Sequence, residues 1–201
     1  MLSRVRERGF TLVELLVGIA LVAALMFIAV PNFGAWLQNT QIRAATDAFL
    51  GGLQLARAEA VRRNVTVQFQ LMSTLDSSCA LSTSGPNWVV SLNSAVGNCG
   101  APPTADLPVP TAPGIVQTRS SNDGSRNAVI LSTASTISFN GLGRPLPVGG
   151  APATLQIDIS NPAGGACAPS GPMRCMRVLV TTNGQVRSCD PRLVPPTNGA
   201  C

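Results

Sequence analysis

The sequence predicts an α+β chain in which a long N-terminal helix, partly transmembrane, packs on an antiparallel β-sheet domain. Three observations predict it. An apolar run from Phe10 to Val30 passes into an amphipathic helical pattern. The period changes from helical to alternating near Val65, and only strand-like segments follow. Many of the 19 Gly and 16 Pro fall between those later segments, as connections. One helix followed only by strands places the helix on one face of an antiparallel sheet.

The apolar run comes first. Leu15 to Val30 holds sixteen residues with no charge or strongly polar group, and Glu14 is the only charge between Phe10 and Val30. A carboxylate costs about 2.5–3.5 kcal/mol at mid-bilayer on insertion scales, less near an interface, so an acid in such a run is a functional candidate. Arg4, Arg6 and Arg8 precede the run. By the positive-inside rule the N-terminus stays in the cytoplasm and the remainder crosses. A secretory signal would show a core of roughly 7–15 residues and then a small-residue cleavage site. Here the run is longer, and Pro31-Asn32-Phe33-Gly34 follows it without an Ala-x-Ala.

Helical pattern resumes directly after Pro31. A proline inside a helix removes one N–H donor, so Pro31 is expected to kink the helix rather than end it. Ile42, Ala45, Phe49, Leu53, Ala56 and Ala60 then recur at spacings of three and four, which marks one apolar stripe facing a sheet. Gly51-Gly52 weakens the helix by about 1 kcal/mol per Gly relative to Ala, so a bend or loosening is expected there. Arg57, Arg62 and Arg63 lie toward the C-terminal end, where cations favour the helix dipole. The helix is expected to run from Phe10 to about Asn64.

Val65 to Leu71 alternates strictly and reads as a half-buried strand. Further strands are expected at Asn87–Leu92, Ala128–Leu131, Thr136–Phe139, Thr154–Ile159 and Met176–Thr182. Asn183-Gly184 should turn a hairpin into Gln185–Ser188. Gly97–Gly114 is the longest connection.

Composition removes several classes of function. The 201-residue chain is 45% hydrophobic and 11% charged, carries a net charge of +5, and has no His, no Tyr and no Lys. Histidine-based triads, imidazole acid–base catalysis and His metal sites are therefore excluded. No GxSxG nucleophile motif and no phosphate-cradling loop between a strand and a helix is present, so the chain does not read as an enzyme and no cofactor is expected. Six Cys follow the apolar run: Cys79, Cys99, Cys167, Cys175, Cys189 and Cys201. An even count in loop-rich sequence suggests disulfides and an oxidising compartment. Without CxxC pairs or His, zinc is not expected. Joining neighbours along the chain, Cys79 with Cys99, Cys167 with Cys175 and Cys189 with Cys201, is the simplest arrangement.

The stretch Arg8-Gly9-Phe10-Thr11-Leu12-Val13-Glu14-Leu15-Leu16 resembles the class III signal of type IV pilins and type II secretion pseudopilins. The resemblance implies cleavage by a prepilin peptidase after Gly9 and N-methylation of the new N-terminal Phe10. It places the family's assembly glutamate on Glu14 and its helix-kinking proline on Pro31. The physics agrees: a freed α-amine is a cation, and in a staggered bundle the carboxylate of one subunit can neutralise the amine of its neighbour. Pairing then offsets a desolvation cost that neither charge could bear alone. The implied organisation is a leader over 1–9, a transmembrane and assembly helix over 10–30, an amphipathic half over 31–64 and a periplasmic β-rich domain over 65–201 with a disulfide-tied tail. The implied partners are other pilins or pseudopilins, the prepilin peptidase and the inner membrane, with later display on a pilus at the cell surface.

Phe49 to Phe69, Ile137 to Pro145 and Val180 to Pro191 resemble the GspH/FimT branch of that family. The branch holds FimT-like minor type IV pilins, some of which bind DNA in natural transformation, and the H pseudopilin of the type II secretion tip. DNA-binding members carry Gly-Arg-x-Arg where this chain has Gly184-Gln185-Val186-Arg187. The second Arg is kept as Arg187, and the first is replaced by Gln185. From Ser170 onward Arg174, Arg177, Arg187 and Arg192 face one acid, Asp190. These four and Gln185 are candidates for sequence-independent phosphate contact, against the alternative of a solvated basic face. No aromatic stacking platform for single strands lies among them.

Overall fold

The computed structural model describes residues 11–106, 112–147 and 154–201, without the side chains of 28–32. The expected cleavage and methylation positions, Gly9 and Phe10, lie outside these residues. Helix α1 covers Leu12–Arg63. Among the described residues eight strands follow: β1 Val67–Met72, β2 Asn87–Ser91, β3 Ile115–Arg119, β4 Val129–Ser132, β5 Thr136–Phe139, β6 Leu155–Ser160, β7 Met176–Val180 and β8 Val186–Cys189. The chain divides into two compact units, Met1–Leu37 and Gln38–Cys201; the second is termed the head.

Both ends of α1 are set by local chemistry. Thr11 Oγ1 accepts the Glu14 amide at 3.2 Å, which makes Thr11 the N-cap and Glu14 the third helical residue. At the other end Asn64 takes a left-handed φ of 53°. The Val65 amide donates to the Ala60 carbonyl and the Asn64 amide to that of Val61, the two bonds of a Schellman cap. Pro31 falls inside α1, and its side chain is among those not described.

In the first unit, the side chains of α1 from Leu12 to Phe27 are exposed on every side. Among the described residues no helix is long and apolar enough to cross a membrane. The span expected over 10–30 extends past them at both ends, to Phe10 and to the side chains of 28–30.

The head contains two four-stranded sheets, ordered β3-β2-β1-β5 and β4-β6-β7-β8. Every strand pairing is antiparallel. The helix stripe Ile42, Ala45, Phe49, Leu53, Ala56 and Ala60 is fully buried. Phe49 meets Phe69 of β1 edge-on at 6.0 Å, and Phe69 meets Trp88 of β2 at 5.4 Å. α1 runs through Gly51-Gly52 without a break, so the helix is not interrupted there, and packing explains Gly52. A Cβ there would lie 2.8 Å from Phe69 Cε2 and 2.9 Å from Trp88 Cζ2. The glycine lets the helix sit directly on the aromatic pair.

The far face of the first sheet is covered by its own loops. Met72, Val89 and Ile115 pack with Ala95 and the Cys79–Cys99 disulfide in a second small core. Gln70 Oε1, buried on that face, accepts the Ala95 amide at 2.8 Å and pins the loop. Three side-chain amides of α1 fix the start of the head. Gln38 accepts from Asn161 at 2.7 Å, Gln41 from the Asn127 amide at 3.0 Å, and Asn39 from the Arg174 amide at 2.7 Å.

The strand β3 was not expected from the sequence. It is an edge strand with a register shift opposite Val90 and Ser91, and only Ile115 among its residues is buried. Such a strand lacks the alternation that marks the others.

Candidate functional site

Two places carry the residues singled out by the sequence, the N-terminal turn of α1 and the C-terminal end of the head. In the first, the Thr11-Leu12-Val13-Glu14 spacing is that of a capping box. Glu14 is exposed and opens an apolar face formed by Leu15, Gly18, Ile19, Val22 and Met26. A carboxylate at the third helical position is favoured by the helix dipole. This cap was not among the expectations, although the [ST]-x-x-[DE] pattern before an apolar run is a legible signal.

The C-terminal end is built on the hairpin of β7 and β8. The turn is hydrogen-bonded from the Gly184 amide to the Thr181 carbonyl at 2.8 Å, and Gly184 has φ 84°. That left-handed residue after a tight turn is the glycine bulge of a three-residue hairpin loop. The Thr181 hydroxyl donates to Asn183 Oδ1, and the Gln185 amide donates to Thr181 Oγ1 at 3.2 Å. Gln185 itself is exposed.

Register places Arg177 opposite Cys189 and Leu179 opposite Arg187. Directly opposed residues share a face, so Arg177 and Arg187 both point away from the core residues Val178 and Val180. Neither has a bare guanidinium. Arg177 Nε donates to Asp158 Oδ1 at 2.6 Å, from the strand beside it. Arg187 reaches the chain end, with Nη1 donating to Ala200 O at 3.3 Å and Nη2 to Cys201 O at 3.4 Å.

The tail is folded back onto β8. Cys189 and Cys201 are disulfide-bonded, and the Asp190 amide donates to Gly199 O at 2.7 Å. Arg192 forms a two-pronged pair with Asp190, Nε to Oδ1 at 3.0 Å and Nη2 to Oδ2 at 2.5 Å. The hydrogen bond from Arg192 holds the Asp190 carboxyl below the usual carboxylate range, and the same bond pushes the Arg192 guanidinium up. Arg174 is exposed and joins the group through its charge, which also lowers Asp190. Arg177, Arg192 and Pro191 line one shallow depression beside the Cys167–Cys175 disulfide.

The structure thus sets Arg174, Arg177, Arg187 and Arg192 along the β7–β8 hairpin and its tail, and engages the side chains of Arg177, Arg187 and Arg192 in bonds of their own. The three disulfides join chain neighbours. Among the described residues no group of acids, His or Cys could hold a metal ion.

A third cluster was missed in the sequence, where Arg62 and Arg63 were read only against the helix dipole. Both pair with Glu59 at 2.7 Å, and both reach Asp106 of the long connection. The Arg62 hydrogen bond is the main cause that holds Glu59 low, and it does the same for Asp106. No local pattern could have shown Asp106, which meets the helix across more than forty residues of chain.

Residues 45–184 match the family described as type II transport protein GspH, and residues 4–30 match the prokaryotic N-terminal methylation motif. The chain is 37% identical over 100 residues to the type IV narrow pilus major component PilA5 of Thermus thermophilus, covering 48% of this chain and 81% of that protein. The crystal structure of the type IV minor pilin FimU of Pseudomonas aeruginosa superposes with a TM-score of 0.50 at 13% identity, over 78% of this chain and 93% of that one, and shows the same fold. Proteins of this kind are structural subunits, not enzymes. With the motif at one end, the helix-on-sheet head at the other and the match over 45–184, this chain belongs to the GspH family of type IV pilins and pseudopilins.

Proposed function

We propose that the chain is a FimT-like minor type IV pilin that takes part in pilus assembly or initiation. It is made as a single-pass inner-membrane precursor, with the N-terminus cytoplasmic and residues 65–201 periplasmic. A prepilin peptidase cuts after Gly9, Phe10 is methylated, and the mature chain enters a filament with other pilins. The observation that carries this reading is Glu14, one acid at the head of an all-round apolar helix. A helix apolar on every side needs a nonpolar surround, and the acid needs a cation within it. The α-amine of a neighbouring subunit supplies that cation. Mass spectrometry of sheared pili tests the reading: N-methylated Phe10 at the chain start, in the filament fraction, is the expected result. A mature chain starting after Pro31, or no chain in the filament fraction, contradicts it.

The alternative is the minor pseudopilin H of a type II secretion pseudopilus, and the family description over 45–184 speaks for it. Loss of exoprotein release on deletion, with pili intact, would establish it over the pilus reading.

DNA capture is a second activity of the same head. The four Arg along the β7–β8 hairpin and its tail, and Gly184-Gln185-Val186-Arg187, support it. The internal partners of Arg187, Arg177 and Arg192 limit it to a weak, salt-sensitive, sequence-indifferent contact. Retardation of DNA at low salt, reduced in Arg187→Ala/Arg192→Ala, is expected. An unretarded parent protein at low salt removes this activity.

A further inference from the structure

The apolar run of the first unit is followed by two aromatic residues before the polar segment Gln38-Asn39-Thr40-Gln41. Phe33 and Trp36 lie three apart, stack at 5.7 Å between ring centroids, and are 63% and 61% exposed. Residues three apart share one side of a helix. The pair closes the first unit, which ends at Leu37.

Polarity along the chain has a fixed order: Arg4, Arg6 and Arg8, then the apolar run, then the aromatic pair, then amides and a hydroxyl. At a rise of 1.5 Å per residue, Phe10 to Val30 spans about 30 Å, which matches a hydrocarbon core of about 30 Å. The backbone of Phe33 then falls about 4 Å beyond its edge, in the headgroup layer, and that of Trp36 about 9 Å beyond it, at the outer limit of that layer, with its side chain leaning back toward the helix N-terminus. Trp is suited to that layer, because its large amphipathic ring sits at headgroup level, where Trp is enriched in membrane proteins.

We propose that Phe33 and Trp36 anchor the precursor in the headgroup layer of the extracytoplasmic leaflet. The partner is a lipid surface. This rests on the single-pass reading above and adds to it a device that sets depth. In the assembled filament the same aromatic pair leaves lipid with the rest of the helix.

The chain reports on its own anchor, because it contains two Trp and Trp88 is 2% exposed, packed on Phe69. The test uses the full uncleaved chain in vesicles of phosphatidylethanolamine and phosphatidylglycerol, with brominated lipids labelled either just below the headgroup or deep in the acyl chain. Shallow bromines quench Trp36 strongly and deep ones weakly, and Trp36→Phe abolishes the quenching. A chain that floats with the vesicles but is quenched mainly by deep bromines, or by neither, overturns the anchor and leaves the single-pass reading standing. Shallow quenching that disappears as protein is added at fixed lipid assigns the aromatic pair to a second copy and overturns the lipid anchor. A chain that does not float with vesicles overturns both.

Discussion

Arg57 Nε donates to the carbonyl of Gly143 at 3.1 Å, joining the end of α1 to the turn after β5. The Gly184 turn lies against the same carbonyl, so close that a Cβ at Gly184 would collide with Gly143 O. Three stretches read separately in the sequence, Phe49–Phe69, Ile137–Pro145 and Val180–Pro191, therefore meet at one point. Gly143 has φ 72°, and a Cβ there would lie 3.1 Å from both Arg57 Nε and Val61 Cγ2. Gly143→Ala should destabilise the head by about 1–2 kcal/mol from the left-handed backbone alone. Thermal unfolding of the variant checks this; an unchanged midpoint contradicts it.

The two adjacent glycines of α1 should respond with opposite signs. A Cβ at Gly51 would meet nothing within 4 Å, whereas one at Gly52 would meet Phe69 and Trp88 at 2.8 and 2.9 Å. Gly51→Ala should stabilise by roughly 0.5–1 kcal/mol through helix propensity. Gly52→Ala should destabilise by about 1–3 kcal/mol, as overpacking does. Denaturant midpoints of the two variants decide it.

That pair also shows what the sequence could reveal. The helix, its buried stripe and seven of the eight strands were legible, because alternation and three-four spacing are local signals. Gly51 and Gly52 look alike in sequence, and only the approach of Phe69 and Trp88 separates them. The edge strand β3 was lost for the related reason that its pattern is set by a bulge against β2 rather than by burial. The four C-terminal Arg were legible as a basic stretch of chain. Their partners were not, because Asp158 comes from the neighbouring strand and Ala200 from a tail folded back by a disulfide.

Acid should loosen the head. Glu59, Asp106 and Asp190 are held below their ordinary values of 4.5, 3.8 and 3.8, chiefly by hydrogen bonds from Arg62 and Arg192. A carboxylate with a depressed folded value binds fewer protons folded than unfolded. Its stabilisation is complete above the ordinary value and is lost as pH falls through the folded one. Stability should therefore be flat near neutral pH and decline below about pH 4.5. Glu59→Gln should flatten part of that decline, and high salt should screen the exposed Asp106 contribution. Denaturant titrations between neutral pH and about pH 3 measure both.

Releasing the tail should free Arg187. Cys189→Ser/Cys201→Ser removes the link that holds Ala200 and Cys201 over the Arg187 guanidinium. Limited proteolysis should then cut within 190–200 faster than in the parent, with the rest of the head intact. DNA retardation at low salt should increase. A tail equally resistant in both proteins would show that the hydrogen bonds alone keep it in place.

The charge on Glu14 can be separated from its place in the helix. Glutamine serves the third helical position of a capping box as glutamate does, so Glu14→Gln keeps the cap and removes only the negative charge. Thr11→Ala does the reverse, at about 1 kcal/mol of helix stability. Incorporation of each variant into sheared pili, beside the parent and with equal membrane levels of all three, is the most direct measurement. Entry of Thr11→Ala near the parent level and exclusion of Glu14→Gln is the expected result. Glu14→Gln present in pili at the parent level would contradict it.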